Sequence, residues 1–89
     1  MSEIVKCATA GTMESSDAYV EISPADDGLV VTLDSVVQQQ FGDDILKVVN
    51  EVLCDCGVKN AKVNVIDKGA LDCVIRARVE TAVMRGRGE

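Results

Sequence analysis

Serine hydroxyls, cysteine thiols and paired carboxylates are the reactive groups of this chain, and histidine, the commonest general base and metal ligand, is absent from all 89 residues. Ser15 and Ser16 stand side by side in Ala-Gly-Thr-Met-Glu-Ser-Ser-Asp (residues 10–17), with an acid on each side. A nucleophilic serine needs a base beside it, and without histidine only lysines and carboxylates remain. Independent catalysis is not expected. A hydroxyl in an accessible loop can instead be a point of covalent attachment, which asks only for exposure. The same Gly, Ser and Asp content is also ordinary loop chemistry.

The other candidate groups read as structural. Asp26-Asp27 and Asp43-Asp44 are adjacent pairs, but neighbours in sequence point apart, and each pair has a turn or cap role at hand. Cys54 and Cys56 fall on an expected helix, where positions two apart diverge by about 200°, so a shared metal ion is not expected. All four cysteines are read as buried or half-buried thiols, and no metal ligand is assigned. One glycine and no lysine in Gly-Thr-Met-Glu-Ser-Ser-Asp leave no phosphate-cradling loop. Leu-Asp-Ser-Val-Val (residues 33–37) superficially resembles the Asp-Ser-Leu site of ordinary acyl carrier proteins. Those carriers open a helix at the serine, whereas this stretch follows a strand pattern, so Ser35 is read as a structural hydroxyl.

These groups need elements to hold them. Residues 1–17 show no sustained period and read as a flexible, mostly extended arm. Ala18, Val20 and Ile22 alternate with Tyr19, Glu21 and Ser23, and Leu29, Val31 and Leu33 resume the alternation after Ser-Pro-Ala-Asp-Asp-Gly, predicting two strands in an antiparallel hairpin. Ile45, Val48, Val49, Val52, Leu53 and Cys56 recur with helical spacing, started by Asp43-Asp44 and closed by Gly57 in a left-handed C-cap. Residues 35–41 favour neither helix nor strand. Ala61, Val63 and Val65 predict a third strand, Leu71, Cys73, Ile75 and Ala77 a fourth, and the spacing from Val79 a short helix before a frayed tail at 86–89. On the fourth strand Arg76 and Arg78 would share one face, available to a partner or to phosphates. The expected fold is α+β: a two-layer sandwich of a small antiparallel sheet, strand-strand-helix-strand-strand, with one main helix and a short C-terminal one. A single domain would span residues 18–85.

Composition narrows the function. Only Tyr19 and Phe41 are aromatic, so no base-stacking platform is expected, and a net charge of −6 disfavours nucleic acid and anionic membrane surfaces. No apolar run approaches the ~20 residues that span a bilayer, and Met-Ser-Glu-Ile-Val-Lys lacks the apolar stretch of a secretory signal. A cytoplasmic protein is expected.

Three blocks, residues 10–17, Gln-Gln-Phe-Gly-Asp-Asp-Ile (39–45) and Asp-Lys-Gly-Ala-Leu-Asp-Cys-Val-Ile-Arg-Ala-Arg-Val-Glu (67–80), resemble in order and separation the acyl carrier (gamma) subunit of citrate lyase. The similarity runs from about Ala10 to Met84, and the third block is the most specific. The resemblance implies a non-catalytic carrier that holds acetyl and citryl thioesters while citrate is cleaved to acetate and oxaloacetate in citrate fermentation. It implies 2′-(5″-triphosphoribosyl)-3′-dephospho-coenzyme A as prosthetic group, joined by a phosphodiester to Ser15. The partners implied are the alpha (acyl transferase) and beta (citryl lyase) subunits and a prosthetic-group transferase. Met13 replaces the family's usual leucine, and Ser16 stands where the family often has glycine, a second candidate hydroxyl. The carrier (delta) subunit of malonate decarboxylase, with a related prosthetic group, is the close alternative. A small acidic interaction module without a prosthetic group is the third reading.

Overall fold

The computed structural model describes residues 4–36 and 38–88; residues 1–3, 37 and 89 lie outside the description, and with them the start of the expected arm, part of the ambiguous stretch and the end of the expected tail. Six elements follow in order: β1 (Ala8–Gly11), β2 (Ala18–Pro24), β3 (Leu29–Ser35), α1 (Gln38–Asp55), β4 (Ala61–Asp67) and α2 (Asp72–Gly86). Period-two alternation buries Ala18, Val20 and Ile22 of β2 with Ala61, Val63 and Val65 of β4 on one sheet face. Both helices pack on that face, contributing Ile45, Val48, Val49, Val52 and Leu53 from α1 and Ile75, Val79, Ala82 and Val83 from α2. The opposite face, with Thr9, Glu21, Thr32 and Lys62, is left to solvent. The α+β two-layer architecture is the one expected from sequence.

Its wiring differs from the expected hairpins. The sheet order is β1-β2-β4-β3, so β4 lies between the two strands expected to pair. It runs antiparallel to β2 (Ala18↔Asp67 to Pro24↔Ala61) and parallel to β3 (Leu29↔Ala61 to Ser35↔Asp67), making the sheet mixed. Parallel neighbours need a crossover, and α1 supplies it. The turn after β2 therefore bridges two strand spacings, about 10 Å. It is fixed to β4 where Gly28 N–H donates to Asn60 Oδ1 (2.8 Å) and Ala61 N–H to Gly28 O (3.1 Å).

Four boundaries move. Ala8–Gly11, expected in the arm, pairs with β2 from Ala8↔Ile22 to Gly11↔Tyr19. With Ala10 its one buried residue, β1 is too short and too small to show a period. The helix α1 begins at Gln38 and runs through Gly42, so Asp43 and Asp44 are not its N-cap. The expected fourth strand is helix: Leu71, Cys73 and Ala77 face out, while Ile75, Val79, Ala82, Val83 and Gly86 are buried. Charges at every second position, Arg76, Arg78 and Glu80, imitate a strand. Gly86 is the buried last residue of α2 rather than tail, where its carbonyl accepts the amides of Val5 (2.9 Å) and Lys6 (3.1 Å). Gly57 does close α1 in the left-handed region (φ 74°). Val58 N–H donates to Leu53 O and Gly57 N–H to Cys54 O, both at 3.0 Å, which completes a Schellman cap.

Candidate functional site

Ser15 and Ser16 form the tip of the β1–β2 connection. Asp17 N–H donates to Glu14 O (3.2 Å), making Glu14 to Asp17 a β-turn with the serines at its two central positions. Ser16 is the one non-glycine residue with positive φ (66°) among those described, so the turn is of type II, which favours glycine there. Both serines are exposed, and among the described residues neither hydroxyl is engaged by a hydrogen bond.

The turn is held rather than loose. Ser16 N–H donates to Lys68 O (2.8 Å) and Lys68 N–H to Asp17 O (2.9 Å), extending the β2–β4 ladder one step past Asp67. Asp17 is the centre of the holding. Its Oδ1 accepts Ala18 N–H (2.7 Å) and Arg78 Nε–H (3.0 Å), and its Oδ2 accepts Thr12 Oγ1–H (2.7 Å) and Arg78 Nη2–H (2.9 Å). The Arg78 guanidinium, then Thr12 and the Ala18 amide, hold the Asp17 carboxyl well below the usual carboxylate range, and the same contact raises Arg78. Thr12 Oγ1 also accepts Glu14 N–H (3.2 Å).

Gly11 makes the approach possible. It sits at φ 93°, and a Cβ there would lie 1.8 Å from Ala18 O and 3.1 Å from Arg78 Cδ. No other residue fits between the strand and the guanidinium.

The support from β4 is itself braced. Asp67, 1% exposed, accepts Ser35 Oγ–H (2.8 Å) and the amides of Gly69 (3.2 Å) and Ala70 (2.8 Å). The Asp-Lys-Gly-Ala stretch is thus a turn tying β3, β4 and the start of α2 behind the serines, and Ser35 is a structural hydroxyl as expected. Past it lies an open groove of about 950 Å³ between α1 and α2, lined by Ile45, Val48, Ala70, Leu71, Cys73 and Arg76.

Sequence had placed Arg76 and Arg78 on one strand face. On α2 they diverge: Arg78 reaches Asp17, and Arg76 Nη2 reaches Glu51 Oε1 on α1 (3.0 Å) as an exposed pair contributing about 0–1 kcal/mol. The thiols expected inside are mostly outside. Cys7, Cys54 and Cys73 are exposed, because the helical register of α2 turns Cys73 outward and Cys54 lies on the outer face of α1. Half-buried Cys56 has its thiol pushed up by burial. The clamp between Asp17 and Arg78 was missed because 61 positions separate the partners and nothing local pairs them.

A family model described as "ACP: Malonate decarboxylase delta subunit (MdcD)" matches residues 5–86. The citrate lyase acyl carrier protein of Pectobacterium carotovorum subsp. carotovorum is 55% identical over 83 residues, covering 93% of this chain and 86% of that one. That of Enterobacter sp. strain 638 is 53% identical over 87 residues (98% and 90%), and that of Oenococcus oeni 53% over 83 residues (93% and 86%). A chain from the crystal structure of a Pseudomonas malonate decarboxylase hetero-tetramer in complex with malonate superposes with a TM-score of 0.79, over 90% of this chain and 82% of that chain. At 20% identity that likeness speaks to the fold alone.

Proposed function

The chain belongs to the family of citrate lyase acyl carrier proteins, and from that premise we propose that it is the acyl carrier (gamma) subunit of a citrate lyase, with its prosthetic group attached at Ser15. The observation that carries the reading is an exposed, unengaged serine hydroxyl held at the tip of a pinned turn, inside the stretch that resembles the family's attachment motif.

The group proposed is the phosphoribosyl-dephospho-coenzyme A that remains in phosphodiester linkage when the donor, 2′-(5″-triphosphoribosyl)-3′-dephospho-coenzyme A, loses pyrophosphate. The local residues fit it: Ser15 is open to solvent, and the negative charge of Asp17 is offset by Arg78, leaving Glu14 as the acid beside the attachment point. When attached, the group supplies the thiol that carries acetyl and citryl as thioesters, so no cysteine of the chain is asked to do so. Ser15 Oγ is the linking oxygen and takes no part in acyl chemistry. Without histidine the chain lacks the commonest general base, and catalysis is assigned to the alpha (acyl transferase) and beta (citryl lyase) subunits. The carrier's physical contribution is tethering, which keeps the thioester at an effective concentration of order millimolar near both active sites. The setting proposed is the cytoplasm; no helix among the described residues is long and apolar enough to cross a membrane.

The family description favours a second reading, the carrier of a malonate decarboxylase. Identities of 53–55% to citrate lyase acyl carrier proteins, over more than 90% of the chain, weigh for citrate lyase. Intact mass of the protein from its native host grown on citrate is the test. We expect one added prosthetic group on the peptide containing Ser15, and a bare chain from a host lacking the transferase. An unmodified native mass favours the plain interaction module. Turnover of malonate rather than citrate by the purified complex favours the second reading.

A further inference from the structure

Two serines of equal chemistry stand together at the attachment loop, and the fold treats them differently. Ser16 lies between two anchors: its own amide bonds Lys68 O, and the next residue is the clamped Asp17. Its backbone is held left-handed. Ser15 occupies the other central position of the turn, one residue farther from both anchors. A loop joining two paired strands can close with a turn alone. This one instead receives a bidentate guanidinium from α2, reaching over a glycine that clears its path.

We propose that the Asp17–Arg78 clamp is a presentation device that makes Ser15, and not Ser16, the hydroxyl accepting the prosthetic group, with Arg78 as a positioning residue acting through Asp17. This rests on the reading of Ser15 as an attachment point. Attachment forms one bond from serine Oγ to the ribosyl-bearing phosphorus of the triphosphate donor. The bond from that phosphorus to pyrophosphate breaks, and the serine proton passes to solvent. Such in-line displacement depends on where the nucleophile is held, since an ångström of misplacement can cost about 100-fold. Fixing the turn on Lys68 O at one point and Arg78 at the other sets that position from the sheet and the helix together. The attachment signal is therefore a folded surface, and no linear peptide contains it.

The experiment supplies full-length apo chain with the transferase and the triphosphoribosyl-dephospho-coenzyme A donor, comparing wild type with R78A, R78K, S15A and S16A. Intact mass gives extent, peptide fragmentation gives the position, and thermal unfolding confirms that each variant is folded. Wild type and S16A should gain one group at Ser15. In R78A the transfer rate at low carrier concentration should fall tenfold or more, through a raised KM for the carrier, and modification should spread to Ser16. R78K keeps the charge but not the two-pronged contact, so it should recover part of the rate and of the selectivity. If R78A is unfolded, R78K carries the same comparison. Folded arginine variants modified at the wild-type rate and only on Ser15 would overturn the clamp alone. A wild-type chain that the transferase leaves bare would overturn the attachment reading and the clamp with it.

Discussion

The Asp17 carboxylate accepts four hydrogen bonds, two of them from an arginine 61 positions away, so its ionisation is coupled to folding. Its folded-state acidity is strengthened below the ordinary value of 3.8, chiefly by Arg78. A depressed carboxyl contributes stability that is complete above the unfolded value and is lost as the pH falls through it toward the lower folded value. The gap in unfolding free energy between wild type and D17N should therefore stay level from neutral pH to about 5 and narrow in more acid solution. Urea titrations over that range measure it, and a gap unchanged at about pH 2.5 would show that the carboxylate is uncoupled from folding. Ser16 offers a second test. A side chain in the left-handed region costs roughly 1–2 kcal/mol, part of which glycine returns through its freer unfolded chain. S16G should be more stable by about 0.5–1 kcal/mol, read from the denaturant midpoint with unchanged slope.

At the scale of elements, the face of α2 gives a direct comparison. Cys73 is exposed and Ile75 fully buried, although on a strand the two would share a face. C73A should change stability by no more than about 0.5 kcal/mol, whereas I75A should cost about 2–4 kcal/mol. Equal costs would restore the strand. Strands β2 and β4 and the helix α1 were legible because one-sided burial repeats along them, as was Gly57, whose left-handed cap is a local requirement. The start of α2 was not, because Arg76, Arg78 and Glu80 alternate with apolar residues while the helical series Ile75, Val79, Ala82, Val83 begins beneath them. Strand order was illegible too, since the residues that insert β4 between β2 and β3 lie more than thirty positions from their partners. At the turn, the exposure of the two hydroxyls was legible and the clamp was not: Ser15 and Ser16 lie in a local loop sequence, while Arg78 meets Asp17 only through the packing of α2.

For the whole molecule, the register puts the start of β2, the end of β3 and the end of β4 at one pole, where Ala18 and Ser35 both lie opposite Asp67. The serine turn stands on that pole, while the Schellman cap of α1 and the Gly28–Asn60 contact close the other. Ser15 contributes no side-chain hydrogen bond to the fold among the described residues, so the attachment proposed there would remove nothing that stabilises the domain. The neighbouring groove, about 950 Å³ and lined in part by Ile45, Val48 and Leu71, is a feature that a long arm could fill. Burial there would register: at about 25 cal/mol per Å², roughly 60 Å² of apolar contact is worth 1.5 kcal/mol. A carrier that presents its thioester to two different active sites is served better by an arm that does not dock on its own body. The apo and modified chains should therefore unfold at free energies within about 0.5 kcal/mol of each other. Amide shift changes on modification should be confined to residues 12–17 and 68–70. Stabilisation beyond about 1 kcal/mol on attachment, with shifts at Ile45, Val48 and Leu71, would instead place the arm in the groove and make its release a step that the partner subunits must drive.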